Sequence, residues 1–123
     1  MSMTISPQFL VADLQAAIDY YRDRLGFEQQ IAWQDFYASV ARDGAEIHLK
    51  CAPCAPGERE NRRDHDHLDA FVLTDELDAL FAEATARGAT IHQTLETHPW
   101  GTRDFLVMDP DGHIVCFAEN AES

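Results

Sequence analysis

Apolar positions along the chain recur in two alternating rhythms, and the alternation itself repeats. Leu14, Ile18, Tyr21 and Leu25 fall at i, i+4, i+7 and i+11, the spacing of one helical face. Asp13 precedes this stretch and suits an N-cap, because its carboxylate can accept a bond from a first-turn amide. Gly26 follows it and suits the left-handed position past a helix end. A second stretch carries Leu77, Leu80, Phe81 and Ala84 on one face, with Asp75 before it and Gly88 after it. The distance from capping Asp to closing Gly is the same in both.

Short apolar runs precede each helix, Phe9 to Ala12 and Phe71 to Thr74, and read as strands. Three strand-like segments follow each helix. The first set is Phe27 to Trp33, Phe36 to Arg42 and Ala45 to Cys51; the second is Thr90 to Leu95, Thr102 to Met108 and His113 to Glu119. Asp43-Gly44 marks a tight hairpin, since both central positions of such a turn need positive φ. Asp109-Pro110-Asp111-Gly112 marks the equivalent turn of the second set. The pattern predicts an α+β fold of two βαβββ repeats, residues 1–51 and 67–120, forming curved mixed sheets around a cleft. A ferredoxin-like plait competes for a βαββ start, but it leaves no room for four strands and a loop between Gly26 and Asp75. Pairing of the two units within one chain or across a dimer stays open at this stage.

Residues 52–66 have no hydrophobic period and are rich in Pro, Gly, Glu and Arg. They read as an exposed connector, or as a flap over a binding site. Length supports one compact domain: 123 residues, 46% of them hydrophobic. No apolar run approaches a bilayer span, and the N-terminus shows no basic start with a long apolar core, so a cytoplasmic location is expected. The formal charge of −13 opposes nucleic acid and anionic membrane and favours cationic partners, or serves solubility alone.

Candidate chemistry is sparse. Phosphate loops, nucleophile elbows and helix-turn-helix signatures are missing. Three cysteines, Cys51, Cys54 and Cys116, argue against a disulfide framework. Cys51-Ala52-Pro53-Cys54 is a C-x-x-C without the helical start that a redox motif needs. His65-Asp66-His67 projects two rings to one side if extended, or is a pair of surface histidines. Arg59, Arg62 and Arg63 form a basic run that pairs with nearby acids or with an anion. Among the aromatics, Trp33, Phe36 and Trp100 lie at strand ends or in loops, where a ring can stack on a planar ligand. Phe117 lies at strand spacing and serves a core or a cleft.

Two segments carry a family resemblance. Val11-Ala12-Asp13-Leu14 through Tyr20-Tyr21-Arg22-Asp23-Arg24-Leu25-Gly26-Phe27 resembles the first helix of the vicinal oxygen chelate superfamily. Pro99-Trp100-Gly101-Thr102-Arg103-Asp104-Phe105 with Asp109-Pro110-Asp111-Gly112-His113 to Phe117 resembles its closing hairpin. The resemblance implies the two-repeat fold and a range of activities: glyoxalase, dioxygenase, antibiotic-modifying transferase, or drug binding without reaction. In its metal enzymes four strand positions hold a divalent ion, and they fall here on Ser6 (Pro7 with a one-residue slip), His48, Asp69 and Cys116. Ser6 is a weak ligand and Cys116 a soft one suited to zinc, so the set departs from the enzyme pattern. His48, Asp69 and Cys116 are the alternative metal set, for a glyoxalase-type lyase, isomerase or dioxygenase. The bleomycin-resistance members lack these ligands and are the nearer likeness in length, acidity and the Pro-Trp-Gly before the seventh strand. That likeness implies antibiotic resistance by sequestration in a homodimer, with no cofactor. It also implies a small cationic or aromatic ligand held by Trp33, Asp35, Phe36, His48, Asp69, Trp100, Cys116 and Phe117. Asp35 and Asp69 would supply the carboxylates.

Overall fold

A computed structural model describes residues 3–52 and 67–120. The first half contains β1 (Gln8–Val11), α1 (Leu14–Leu25), β2 (Glu28–Trp33), β3 (Tyr37–Arg42) and β4 (Ala45–Cys51). The second contains β5 (Ala70–Leu73), α2 (Leu77–Ala86), β6 (Thr90–Thr97), β7 (Thr102–Met108) and β8 (Ile114–Asn120). Each half builds one four-stranded sheet, ordered β1-β4-β3-β2 and β5-β8-β7-β6. The outer pairs β1–β4 and β5–β8 are parallel and the rest antiparallel, so the α+β, two-βαβββ reading holds. Cys54, His65, Asp66 and the three arginines of the connector lie outside the described residues.

Helix α1 forms as its pattern predicts. The Asp13 carboxylate accepts from the Ala16 amide, and Gly26 closes the helix at φ 74°. Leu14, Ile18, Tyr21 and Leu25 are all buried. The second helix departs from expectation at its start. Asp75 is not its cap: the N-cap position is Glu76, which makes no side-chain capping bond. Thr74 Oγ1 instead accepts from the Glu76 amide, one step earlier in the chain. A hydroxyl two residues back has taken the amide, as short polar side chains do in turns.

One apolar core joins the halves. Phe9, Val11, Val40, Ile47 and Leu49 from the first sheet and α1 share it with Leu77, Phe105, Val107 and Phe117 of the second half. The halves meet through α1 against α2, and through α1 against the β7–β8 turn. At that turn Tyr21 donates its buried hydroxyl to Asp109 Oδ2 at 2.8 Å. Burial, and then the Asp109 charge, hold the Tyr21 phenol well above its ordinary pKa. Asp109 also accepts from the amides of Asp111 and His113 and pairs with the His113 ring, which stacks on Phe9. Farther along the seam Arg42 of β3 makes two bonds to Glu83 of α2.

Each sheet turns one face to the helices and the shared core, and the hydrogen bonding between strands stays within each half. On the second sheet the other face is also covered within one copy: Leu106, Ile114, Cys116 and Ala118 are at most 5% exposed.

Candidate functional site

Strand alternation sets what each helix-free face displays. On the first sheet the register places Gln8 beside His48, and Ser39 across from His48. Tyr37 pairs with Lys50, and Trp33 with Tyr37. Trp33 and Phe36 flank the β2–β3 turn and meet edge to face at 6.2 Å. Lys50 Nζ sits 5.6 Å from the centre of the Phe36 ring, within cation–π range. Trp33 is 62% exposed, and Leu10, Ile31 and Phe36 are also largely open. Asp35 lies in the same turn, exposed, after Gln34 at a positive φ of 53°. A hydrogen-bonded chain crosses this face: Gln8 Nε2 to the Tyr37 hydroxyl at 3.2 Å, and that hydroxyl to His48 Nδ1 at 2.9 Å.

The second sheet's face is built around a carboxylate. Asp104 on β7 is 9% exposed among Leu106, Ile114, Cys116 and Ala118. Its Oδ1 accepts from Gln93 Nε2 at 2.8 Å and pairs with His98 Nε2 at 3.0 Å. Its Oδ2 faces the Cys116 thiol at 3.7 Å. Burial pushes that thiol up to about 12, with the Asp104 charge adding to the shift. Trp100 lies flat over His98, ring centres 4.4 Å apart and 4° from parallel, and is 73% exposed.

A third feature is an open groove of about 1540 Å³ between the halves. Ile5, Pro7 and Ile47 line one side, and the edge strand β5 with Phe71 and Leu73 lines the other. The Arg42–Glu83 pair lies along it.

The sequence candidates therefore fall in three places. Trp33, Asp35, Phe36 and His48 belong to the first sheet's face or its adjoining turn. Trp100 and Cys116 belong to the second sheet's face. Asp69 and Phe117 border the groove. Phe117 is 2% exposed and stacks on Phe105, so it is chiefly a core ring. Asp69 Oδ2 accepts from the Ile114 amide, which ties the start of β5 to β8. Sequence reasoning also placed Tyr37 among the aromatics near a cleft, and it missed Gln93, His98 and Asp104. One signal was present: a charged residue inside the apolar strand of residues 102–108, at the parity of Leu106.

The matching family model spans residues 6–117 and is described as the glyoxalase/bleomycin resistance protein/dioxygenase superfamily. The chain belongs to that superfamily. It is 26% identical over 129 residues to bleomycin resistance proteins of Geobacillus stearothermophilus and Staphylococcus aureus, covering 95% of this chain and 96% of each relative. Its fold matches the bleomycin-binding protein of Streptomyces verticillus, solved with copper(II)-bleomycin, at a TM-score of 0.71 and 24% identity. That match covers 100% of this chain and 98% of the other. The bleomycin resistance determinant of transposon Tn5 matches at a TM-score of 0.79 and 16% identity, over 97% and 98% of the two chains.

Superfamily enzymes that use a metal need a convergent donor set, and the residues present here do not fit one. Among the described residues no three His, Cys, Asp or Glu side chains are gathered to hold an ion. Each member of the alternative set also has a partner of its own: His48 has Tyr37, Asp69 has the Ile114 amide, and Cys116 has Asp104. The Cys116 thiolate that would bind zinc is disfavoured by burial beside a carboxylate.

Proposed function

We propose that this protein binds a bleomycin-type cationic, partly aromatic molecule in the cytoplasm and sequesters it without breaking a bond. The observation that carries the reading is the placement of Trp33, Phe36 and Trp100. All three are exposed on or beside helix-free sheet faces, in a chain of formal charge −13. Exposed rings stack on planar ligand groups, and an acidic field concentrates a cation near them. The bleomycin resistance relatives support the same direction.

A homodimer completes the site in this reading. The first sheet's face of one copy lies opposite the second sheet's rim in its partner, where Trp33, Phe36 and Trp100 are left exposed by a single chain. Leu10 and Ile31 on one face and Phe71 and Leu73 beside the other are 42–62% exposed, an apolar area suited to burial between copies. Trp33, Phe36 and His48 then meet Trp100 across the cleft, and Asp35 supplies a carboxylate at its rim. Cys116 lies buried in the floor of the second face, and Asp69 and Phe117 support the walls from behind.

The test is a calorimetric titration of the chelator-treated full chain with metal-free bleomycin, alongside light scattering for mass. Saturable binding by a dimer, with the ligand recovered unchanged, is expected. Absence of binding, or chemical conversion of the ligand, overturns the proposal.

A further inference from the structure

Trp100 is 73% exposed, yet its ring is held from below and its loop is closed at both ends. The Gly101 amide donates to the His98 carbonyl at 3.1 Å, and the His98 amide to the Thr102 carbonyl at 2.8 Å. Pro99 pre-sets its own φ in this turn. Gly101 takes a φ of 100°, where a side chain would strain the backbone. The indole lies on the His98 ring, centres 4.4 Å apart and 4° from parallel.

His98 is held in turn from the sheet. Its side chain is only 13% exposed, and Nε2 stands 3.0 Å from Asp104 Oδ1. The same oxygen accepts from Gln93 Nε2 at 2.8 Å, and that nitrogen also faces the Asp104 main-chain oxygen at 3.4 Å. Two acceptors at one end of the Gln93 amide require that end to be the NH₂. Asp104 itself is fixed in register, between Glu96 of β6 and Ala118 of β8. Support thus runs from a paired strand, through a nearly buried carboxylate and an imidazole, to an open indole. Trp33 has no such base: it leans edge-on against Phe36, a ring that is itself 42% exposed.

From this we infer that His98 is a positioning residue: held by Asp104, it fixes the plane of Trp100 and makes that ring a preformed, one-faced platform for a flat group of the ligand. The inference rests on the reading of Trp100 as a ligand contact, and deepens it by naming what sets the ring. The imidazole takes the inner face of the indole, so a ligand ring adds as a third layer on the outer face. A ring already ordered binds at lower entropic cost than one immobilised on contact. His98 therefore contributes to affinity without touching the ligand.

The platform is read first without ligand. The chain has two tryptophans, so Trp33→Phe leaves Trp100 as the sole indole. Fluorescence anisotropy decay of this full chain, taken well below its melting temperature, should show whole-molecule tumbling alone. Adding His98→Ala should bring in a picosecond-to-nanosecond component, the motion of an unsupported exposed side chain. Asp104→Asn keeps an acceptor for His98 and should resemble its parent. Asp104→Leu, of similar size without an acceptor, should add the fast component. Fast motion already present in the parent, or none in His98→Ala or Asp104→Leu, overturns the positioning role. In the chain with Trp33 restored, His98→Ala should weaken metal-free bleomycin by about two- to tenfold, the cost of ordering one side chain on contact. On top of Trp100→Ala it should change nothing further, because it acts through that ring. An equal loss in both backgrounds makes His98 a ligand contact and overturns the inference. Because the anisotropy is read on the free protein, its failure is separable from a failure of bleomycin to bind.

Discussion

The two helix-free sheet faces share a topology and use it in opposite ways. On the first, polar groups stand near the surface: His48 is partly open, and the Gln8–Tyr37–His48 chain runs across three strands. On the second, the polar centre is sunk. Asp104 is 9% exposed, ringed by apolar residues, and satisfied by Gln93 and His98 with the Cys116 thiol alongside. Duplicated architecture fixes where side chains point, but the choice of residue decides whether a face displays chemistry or buries it. A buried, satisfied polar network rigidifies its surroundings, and losing one member leaves the others unpaired.

The largest expected effect follows from that difference. Asp104→Ala strands Gln93 and His98 and should cost about 2–4 kcal/mol of stability by urea denaturation. A loss under ~1 kcal/mol would show that the second face is no more committed than the first. Trp100→Ala separates binding from folding. Bleomycin affinity should fall by about 1–3 kcal/mol in calorimetry. Stability should change little, since the ring is mostly open. Unchanged affinity removes Trp100 from the site.

The seam gives a pH-dependent prediction. Hydrogen bonds from Arg42 hold the Glu83 carboxyl below its ordinary value of 4.5. Its contribution is therefore complete above that value and is lost as pH falls through the lowered one. Both side chains are about a third exposed, so the pair is worth at most ~1 kcal/mol after solvent screening. The melting-temperature gap between wild type and Glu83→Gln should be open at pH 7 and closed at low pH. A gap that widens in acid contradicts the sign. Smaller still is the effect on thiol chemistry. With Cys51 and Cys54 replaced by Ser, Cys116 should resist a thiol reagent at pH 8 until the protein unfolds, since burial holds it as the neutral thiol. Rapid labelling of the folded protein would show that the second face opens.

Much of this was legible in the residues. Helix α1 was readable because Leu14, Ile18, Tyr21 and Leu25 keep a helical face between a real cap and a real terminating glycine. The start of α2 was misread because Asp75 is a good cap by type, while Thr74 made the decisive bond. The hairpins at Asp43-Gly44 and Asp109 to Gly112 were legible from turn chemistry. The exposure of Trp33, Phe36 and Trp100 was legible because large rings at strand ends have few places to hide. Gln93, His98 and Asp104 were missed because they converge from β6, the loop after it and β7. Only register brings them together, and the bulges in β6 shift that register in ways no period reveals. The packing of the halves was likewise illegible, because both pairings bury the same apolar stripes.

The central claim is that one ligand site draws on two copies, with the first face of one and the second face of the other. The most direct test is complementation by mixing. A Trp33→Ala/Phe36→Ala chain and a Trp100→Ala chain, each impaired alone, are unfolded together, refolded and titrated with bleomycin. The account predicts that mixed dimers regain a population of high-affinity sites, since one of their two clefts is intact. Binding that never exceeds the sum of the separate variants would contradict it.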